Sequence, residues 1–215
     1  MRSCDLAIHG HGMAPGLLAL YLLDQKPELN LLLLLGDGAA CGEALEPVVE
    51  TALSDSLRAL IAPFVVASWP GYVVSRDGET VQHDSPVLLL DPVQLWLELQ
   101  DRVPGDAIRT ACSGIVRQGN RLSWSGGAAE AADFLNLAGL TKTDEQCEIL
   151  GIEQVRKLTL PVLADLDSER PEGEGMQLLP LGDERVFMRR RRCTGDPEDE
   201  LINGFAALLY QLTGG

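Results

Sequence analysis

Asp5-Leu6-Ala7-Ile8-His9-Gly10-His11-Gly12-Met13-Ala14-Pro15-Gly16-Leu17-Leu18-Ala19-Leu20 is an apolar run that ends on glycine, then a glycine-rich loop, then the first turns of an apolar helix. Cys4 to His9 reads as a strand, and Ala14 to Leu23 carries apolar residues at helical spacing. Leu29 to Leu35 is an unbroken apolar strand of the kind buried in a parallel sheet. The three segments predict one strand-helix-strand unit. In such a unit the loop turns main-chain amides and the positive pole of the helix toward an anion, and the paired glycines suit a dinucleotide pyrophosphate.

Each glycine of a dinucleotide loop has its own task. The first makes the tight turn, the second lets the backbone approach the pyrophosphate, and the third lets the helix pack closely on the strand. Gly10 and Gly12 fill the first two places, while the third falls on Pro15 with Gly16 one residue later. A proline in the first helical turn is tolerated, but it removes one possible phosphate donor. Such a site also wants an acidic side chain at the end of the second strand for the ribose hydroxyls. That place is Leu35, and Asp37 follows after Gly36. The candidate cofactor-binding residues are therefore Gly10, Gly12, Met13, Ala14 and Asp37, with Gly139 added from a later strand end. His11, inside the loop, faces either a phosphate or open solvent, and the plain alternative for the loop is a strand-to-helix turn that binds nothing.

Bulk properties narrow the field. A chain of 215 residues with 46% hydrophobic residues buries a proper core, and a formal net charge of −15 opposes nucleic-acid binding. The apolar runs are too short to span a bilayer, and no basic segment followed by an apolar one marks a leader, so a cytoplasmic protein without a transmembrane segment is expected. Cys4, Cys41, Cys112, Cys147 and Cys193 are scattered without a C-x-x-C pair, and His9, His11 and His83 lack ligand spacing, so no metal site is expected. Ser123 and Ser125 have no partnered histidine and aspartate, and Asp165, Asp167, Glu172 and Glu174 read as solvated loop charge.

Downstream, Val48 to Leu60 has a helical pattern with Ser54 or Asp55 capping its second half. Phe64 to Trp69 and Tyr72 to Ser75 read as strands, and Asp77-Gly78 marks a hairpin turn between Tyr72–Arg76 and Glu79–His83. Val87 to Leu90 is a strand, and Asp91 caps a helix with Pro92 at its first position and Leu95, Trp96 and Leu99 on one face. Ala107 to Val116 and Arg121 to Ser125 read as strands. Ala132 to Gly139 reads as a buried strand ending on small residues. Glu148 to Leu160 and Pro161 to Asp165 look extended, Met176 to Leu181 pairs with Arg185 to Arg191 around Gly182-Asp183, and a helix starts at Asp196-Pro197. The whole predicts an α/β fold: a Rossmann-like FAD/NAD(P)-binding parallel sheet with antiparallel hairpin insertions. It is expected to form a single domain over 1–215, with an antiparallel substrate-side sheet from about 60–90 and 145–195.

Four stretches carry a family resemblance: Asp5 to Leu20; Leu57 to Tyr72 with its Trp69-Pro70-Gly71-Tyr72; Ala132 to Gly139; and Met176 to Arg192. Together they resemble the bacterial lycopene cyclases, within the larger group of glutathione-reductase-type FAD proteins. The likeness runs along nearly the whole chain and corresponds to about the first half of a family member. It implies an FAD site at the amino-terminal loop and a second flavin contact after Ala132 to Gly139.

The resemblance breaks where the cyclases need an acid. In family terms a carboxyl pair stands on the last hairpin strand, but here the stretch is Phe187-Met188-Arg189-Arg190-Arg191-Arg192. Arginine does not give up its proton in a protein, and a cationic cluster opposes a carbocation, so cyclase activity is not expected. On a strand these arginines split between two faces. They either dock an anion or an acidic partner chain or pair internally with Glu169, Glu172, Glu174 or Asp183. Three functions stay open: a divergent flavoprotein binding FAD or a related dinucleotide, in oxidoreductase chemistry; a pseudoenzyme or interaction subunit that has lost its cofactor; and an NAD(P)-binding protein. A protein partner or a homo-oligomer accompanies any of them.

Overall fold

The computed structural model describes residues 2–36, 44–76, 79–138, 144–151, 158–165, 175–182 and 185–192. In chain order the first elements are β1 (Arg2–Gly10), α1 (Met13–Gln25), β2 (Leu31–Leu35), β3 (Glu46–Val49), α2 (Asp55–Ile61), β4 (Val65–Trp69), β5 (Tyr72–Arg76) and β6 (Glu79–His83). There follow β7 (Val87–Leu90), α3 (Pro92–Arg102), β8 (Ile108–Arg109), β9 (Val116–Gln118), β10 (Arg121–Trp124) and β11 (Gly127–Asn136). The last are β12 (Asp144–Gly151), β13 (Val162–Asp165), β14 (Gly175–Pro180) and β15 (Arg185–Arg192).

The chain forms two compact units, the first from Met1–Pro47, Leu53–Val66 and Leu89–Lys142. Its six-stranded sheet runs in the order β8-β2-β1-β11-β10-β9. The first four strands are parallel, and β10 and β9 continue antiparallel. All five leucines of β2 are buried, because a strand flanked on both edges and covered on both faces has no solvent side. One core cluster holds Cys4, Ala7, Leu32, Leu34, Cys112, Leu122, Ala129 and Ala131, with Trp124 and Phe134 packed against them. Cys4 and Cys112 are buried, and burial raises the pKa of Cys4.

The helices start where the capping residues predict. The Asp91 carboxylate accepts from Val93 N–H at 2.8 Å and Pro92 opens α3, while Leu95 and Leu99 are fully buried. Ser54 Oγ accepts from Leu57 N–H at 3.3 Å to start α2. Asp24 near the end of α1 meets Arg102 at the end of α3 at 2.6 Å, an exposed pair worth at most about 1 kcal/mol.

The second unit comprises Val48–Ala52, Ala67–Leu88 and Thr143–Gly215. Its sheet has the order β12-β15-β14-β13-β5-β6. The β5–β6 and β14–β15 hairpins form as expected from their turns, with Arg76 opposite Glu79 and Pro180 opposite Val186. A parallel pairing of β13 with β5, with Leu163 beside Val74, stitches the early hairpin to the late one. β3, β7 and β4 make a three-stranded sheet.

Several local expectations are corrected. Val48 to Leu60 is not one helix. Glu46–Val49 pairs in a sheet, Glu50–Ala52 is a 3-10 turn, and only Asp55–Ile61 is α-helical, since Pro47 and two adjacent valines favour extended backbone. The strand expected over Ala107 to Val116 shrinks to Ile108–Arg109. Ala111 has φ 54°, a left-handed conformation that ends the strand, and Cys112 N–H instead donates to Leu35 O. β11 begins earlier than expected, at Gly127, and its second half is not buried: Ala132, Asp133, Leu135 and Asn136 are exposed. The expected helix from Asp196, the candidates Asp37 and Gly139, and the carboxylates Glu169, Glu172, Glu174 and Asp183 lie outside the described residues.

Candidate functional site

The site is built at the carboxyl ends of β1, β2 and β11. Gly36 N–H donates to Gly10 O at 3.1 Å, and Leu137 N–H donates to His9 O at 2.7 Å, so the three strands end level with one another. The chain winds outward from β1 through β2 to β8 and returns on the other side of β1 as β11. The order therefore reverses between β1 and β11, and open α/β sheets bind ligands just beyond such a point.

Gly10 and Gly12 play different parts. A Cβ at Gly10 would sit 3.1 Å from Leu137 Cβ and 3.3 Å from Pro15 Cγ, so glycine here lets the helix start lie close on the strand ends. Gly12 has φ 67° and ψ −156°, a conformation open essentially to glycine alone, and a Cβ there would meet nothing within 4 Å. One glycine closes the packing and the other stands beside open space. Pro15 contributes to the packing contact made in this family of loops by a third glycine.

Gly12 caps α1 with no side-chain hydrogen bond, and the first turn carries no acidic residue. Three of the four leading amides of the helix, those of Gly12, Met13 and Ala14, are therefore available to an anion, whereas Pro15 has none. Met13 is buried and Ala14 exposed.

Two histidines and an asparagine complete the rim. His9 and Asn136 are register partners across the β1–β11 reversal, and His9 Nδ1 lies 3.1 Å from Asn136 Oδ1. The same Oδ1 accepts from Ala138 N–H at 3.1 Å. His9 is 8% exposed, and its Nε2 is buried without a partner among the described residues. Burial lowers the His9 pKa, the Asn136 contact opposes that shift, and the charge of nearby His11 adds to it. The His9 and His11 rings meet edge to face with centroids 5.8 Å apart.

His11 is not the open loop residue expected as one alternative. It is half-buried, and its imidazole lies where a side chain on Gly36 would stand. Sequence reading singled out Gly10, Gly12, Met13 and Ala14, which the structure brings together, but missed Asn136, Gly36 and the role of His9. The one available signal was the glycine directly after an all-leucine strand.

The arginine run lies on β15, between β12 and β14, with Arg189 opposite Cys147 and Gln177. Val186, Phe187 and Met188 before it are all buried, so both faces of this strand are covered there. No group of three or more metal-ligating side chains occurs among the described residues. No helix among them is long and apolar enough to cross a membrane.

No family model matches the chain. Two lycopene beta-cyclases, from Pantoea ananas and Pseudescherichia vulneris, are each 39% identical over 70 residues, 33% of this chain and 18% of the cyclase. The likeness of the structure reaches further. A probable FAD-dependent monooxygenase from Pseudomonas aeruginosa superposes with a TM-score of 0.56 at 13% identity, covering 94% of this chain and 63% of that one. The two share a fold. 2-Methyl-3-hydroxypyridine-5-carboxylic acid oxygenase is similar at a TM-score of 0.59 and 12% identity, over 100% of this chain and 68% of the oxygenase. A geranylgeranyl bacteriochlorophyll reductase-like protein from Thermoplasma acidophilum gives 0.59 at 12% identity, over 97% and 62%. The chain thus resembles lycopene cyclase over 33% of its length and shares its fold with these three solved structures, spanning 62–68% of each.

Proposed function

We propose that this chain binds FAD, or a related adenine dinucleotide, with the pyrophosphate at the Gly12, Met13 and Ala14 amides, and that it serves an oxidoreductase-type flavoprotein. The observation that carries the reading is Gly12: a glycine-only backbone conformation with open space at its Cβ, at the uncapped positive end of a helix. The unpartnered Nε2 of buried His9 at the same strand ends adds a polar atom in want of a partner. A bound flavin would supply two-electron transfer, and the chain's own part is to hold and orient its adenine half. Asp37 and Gly139 belong to the proposal as further contacts. The Arg189 to Arg192 run argues against cyclase chemistry, and the antiparallel sheet is assigned to the substrate side. Cysteines scattered without a pairing pattern suit the cytoplasm.

A second reading, a cofactor-free interaction subunit, is favoured by the absence of an acid at Leu35, whose side chain is buried. The protein as isolated decides between them. Flavin absorbance, or a melting temperature raised by FAD and returned to baseline in Gly12→Val, supports the first reading. A colourless protein whose melting temperature is indifferent to FAD, NAD and NADP supports the second.

A further inference from the structure

We infer that His11 reads the adenosine ribose of the bound nucleotide, in place of the carboxylate that ends the second strand in other dinucleotide sites. The inference rests on the dinucleotide reading above and deepens it. At the end of β2 the Leu35 side chain is 1% exposed and belongs to the core, and Gly36 has no side chain. The space a residue at 36 would fill is taken by the imidazole of His11, delivered from the loop between the two glycines.

That placement is specific. His11 follows Gly10 and precedes Gly12, so it is anchored at the phosphate end of the crevice while its ring reaches across to β2. Sugar and pyrophosphate are adjacent in a dinucleotide, and the ring spans the same gap. The His9 ring edge supports it on one side, with centroids 5.8 Å apart, and Asn136 in turn holds His9. An imidazole both donates and accepts a hydrogen bond, so it serves a ribose hydroxyl as a carboxylate does, without a fixed negative charge beside the phosphates.

The test uses ADP and 2′-deoxy-ADP as probes, titrated calorimetrically into the intact chain and into His11→Ala, Gly36→Ala and Asp37→Ala. The wild type is expected to prefer ADP by about fivefold, the worth of one hydrogen bond. His11→Ala should bring the two nucleotides within about twofold. Gly36→Ala should do the same without touching the histidine, because its methyl group displaces the ring. His11 is half-buried and Gly36 buried, and the melting temperatures of the variants report whether they fold.

A preference that survives in both His11→Ala and Gly36→Ala overturns the inference, and its loss in Asp37→Ala alone assigns the ribose to that residue instead. Equal binding of ADP and 2′-deoxy-ADP by the wild type overturns the inference but leaves the dinucleotide site standing. Failure of the wild type to bind ADP, 2′-deoxy-ADP and FAD alike overturns both.

Discussion

Replacing Gly12 with alanine separates a backbone effect from a packing effect, because the two fall on different glycines of the same loop. At Gly12 the φ of 67° and ψ of −156° place the residue where a Cβ is strained whatever its surroundings, yet an added methyl would meet nothing within 4 Å. The expected cost is therefore conformational alone, about 1–3 kcal/mol. For a chain of this length that corresponds to a fall in melting temperature of roughly 3–9 °C, at about 3 °C per kcal/mol. On the proposed reading the same methyl stands between the pyrophosphate and the loop, so FAD should lose at least tenfold in affinity beyond what the lower stability explains. Thermal melts with and without FAD read both quantities. A Gly12→Ala protein that melts with the wild type would show that the loop does not hold this backbone conformation. An unchanged FAD affinity would show that the nucleotide is bound elsewhere.

Buried His9 makes stability depend on pH. Burial lowers its pKa, so the unfolded chain, with an imidazole near 6.5, takes up a proton more readily than the folded one. The stabilisation is complete above about 6.5 and is lost as the pH falls through the lowered folded value. His9→Gln should flatten the decline in melting temperature between about pH 7.5 and pH 5, and a decline of the same slope in the variant refutes the assignment. Asp91→Ala removes the carboxylate that holds Val93 N–H at 2.8 Å and should cost about 1 kcal/mol in urea unfolding. A loss below about 0.3 kcal/mol would mean that water caps α3 equally well.

Much of the architecture was legible because its signals are local. Five consecutive leucines can only be a strand with no solvent side, and the order of strand, glycine pair and helix fixed the first βαβ unit. Asp91-Pro92 and Ser54 each act through a backbone group within three residues, so their positions follow from the residue types alone. Val48 to Leu60 misled because helical periodicity says nothing about a strand partner, and β3 exists through its place in a sheet with β7 and β4. The exposed second half of β11 was hidden for the same reason: apolar composition implies burial, but a strand is buried only where another element covers it.

The sequence by itself determined the fold class, the glycine loop and the loss of an acid at Leu35, since each depends on neighbouring residues and on intrinsic backbone freedom. Only the tertiary structure decided what packs beside the end of β2. His9 and Asn136, 127 positions apart, meet because the parallel register sets them side by side. His11 covers Gly36 because β1 and β2 end level, so that the missing side chain of one leaves room for the imidazole of the other. Contacts across strands depend on register, and register is a property of the assembled sheet and not of any segment within it.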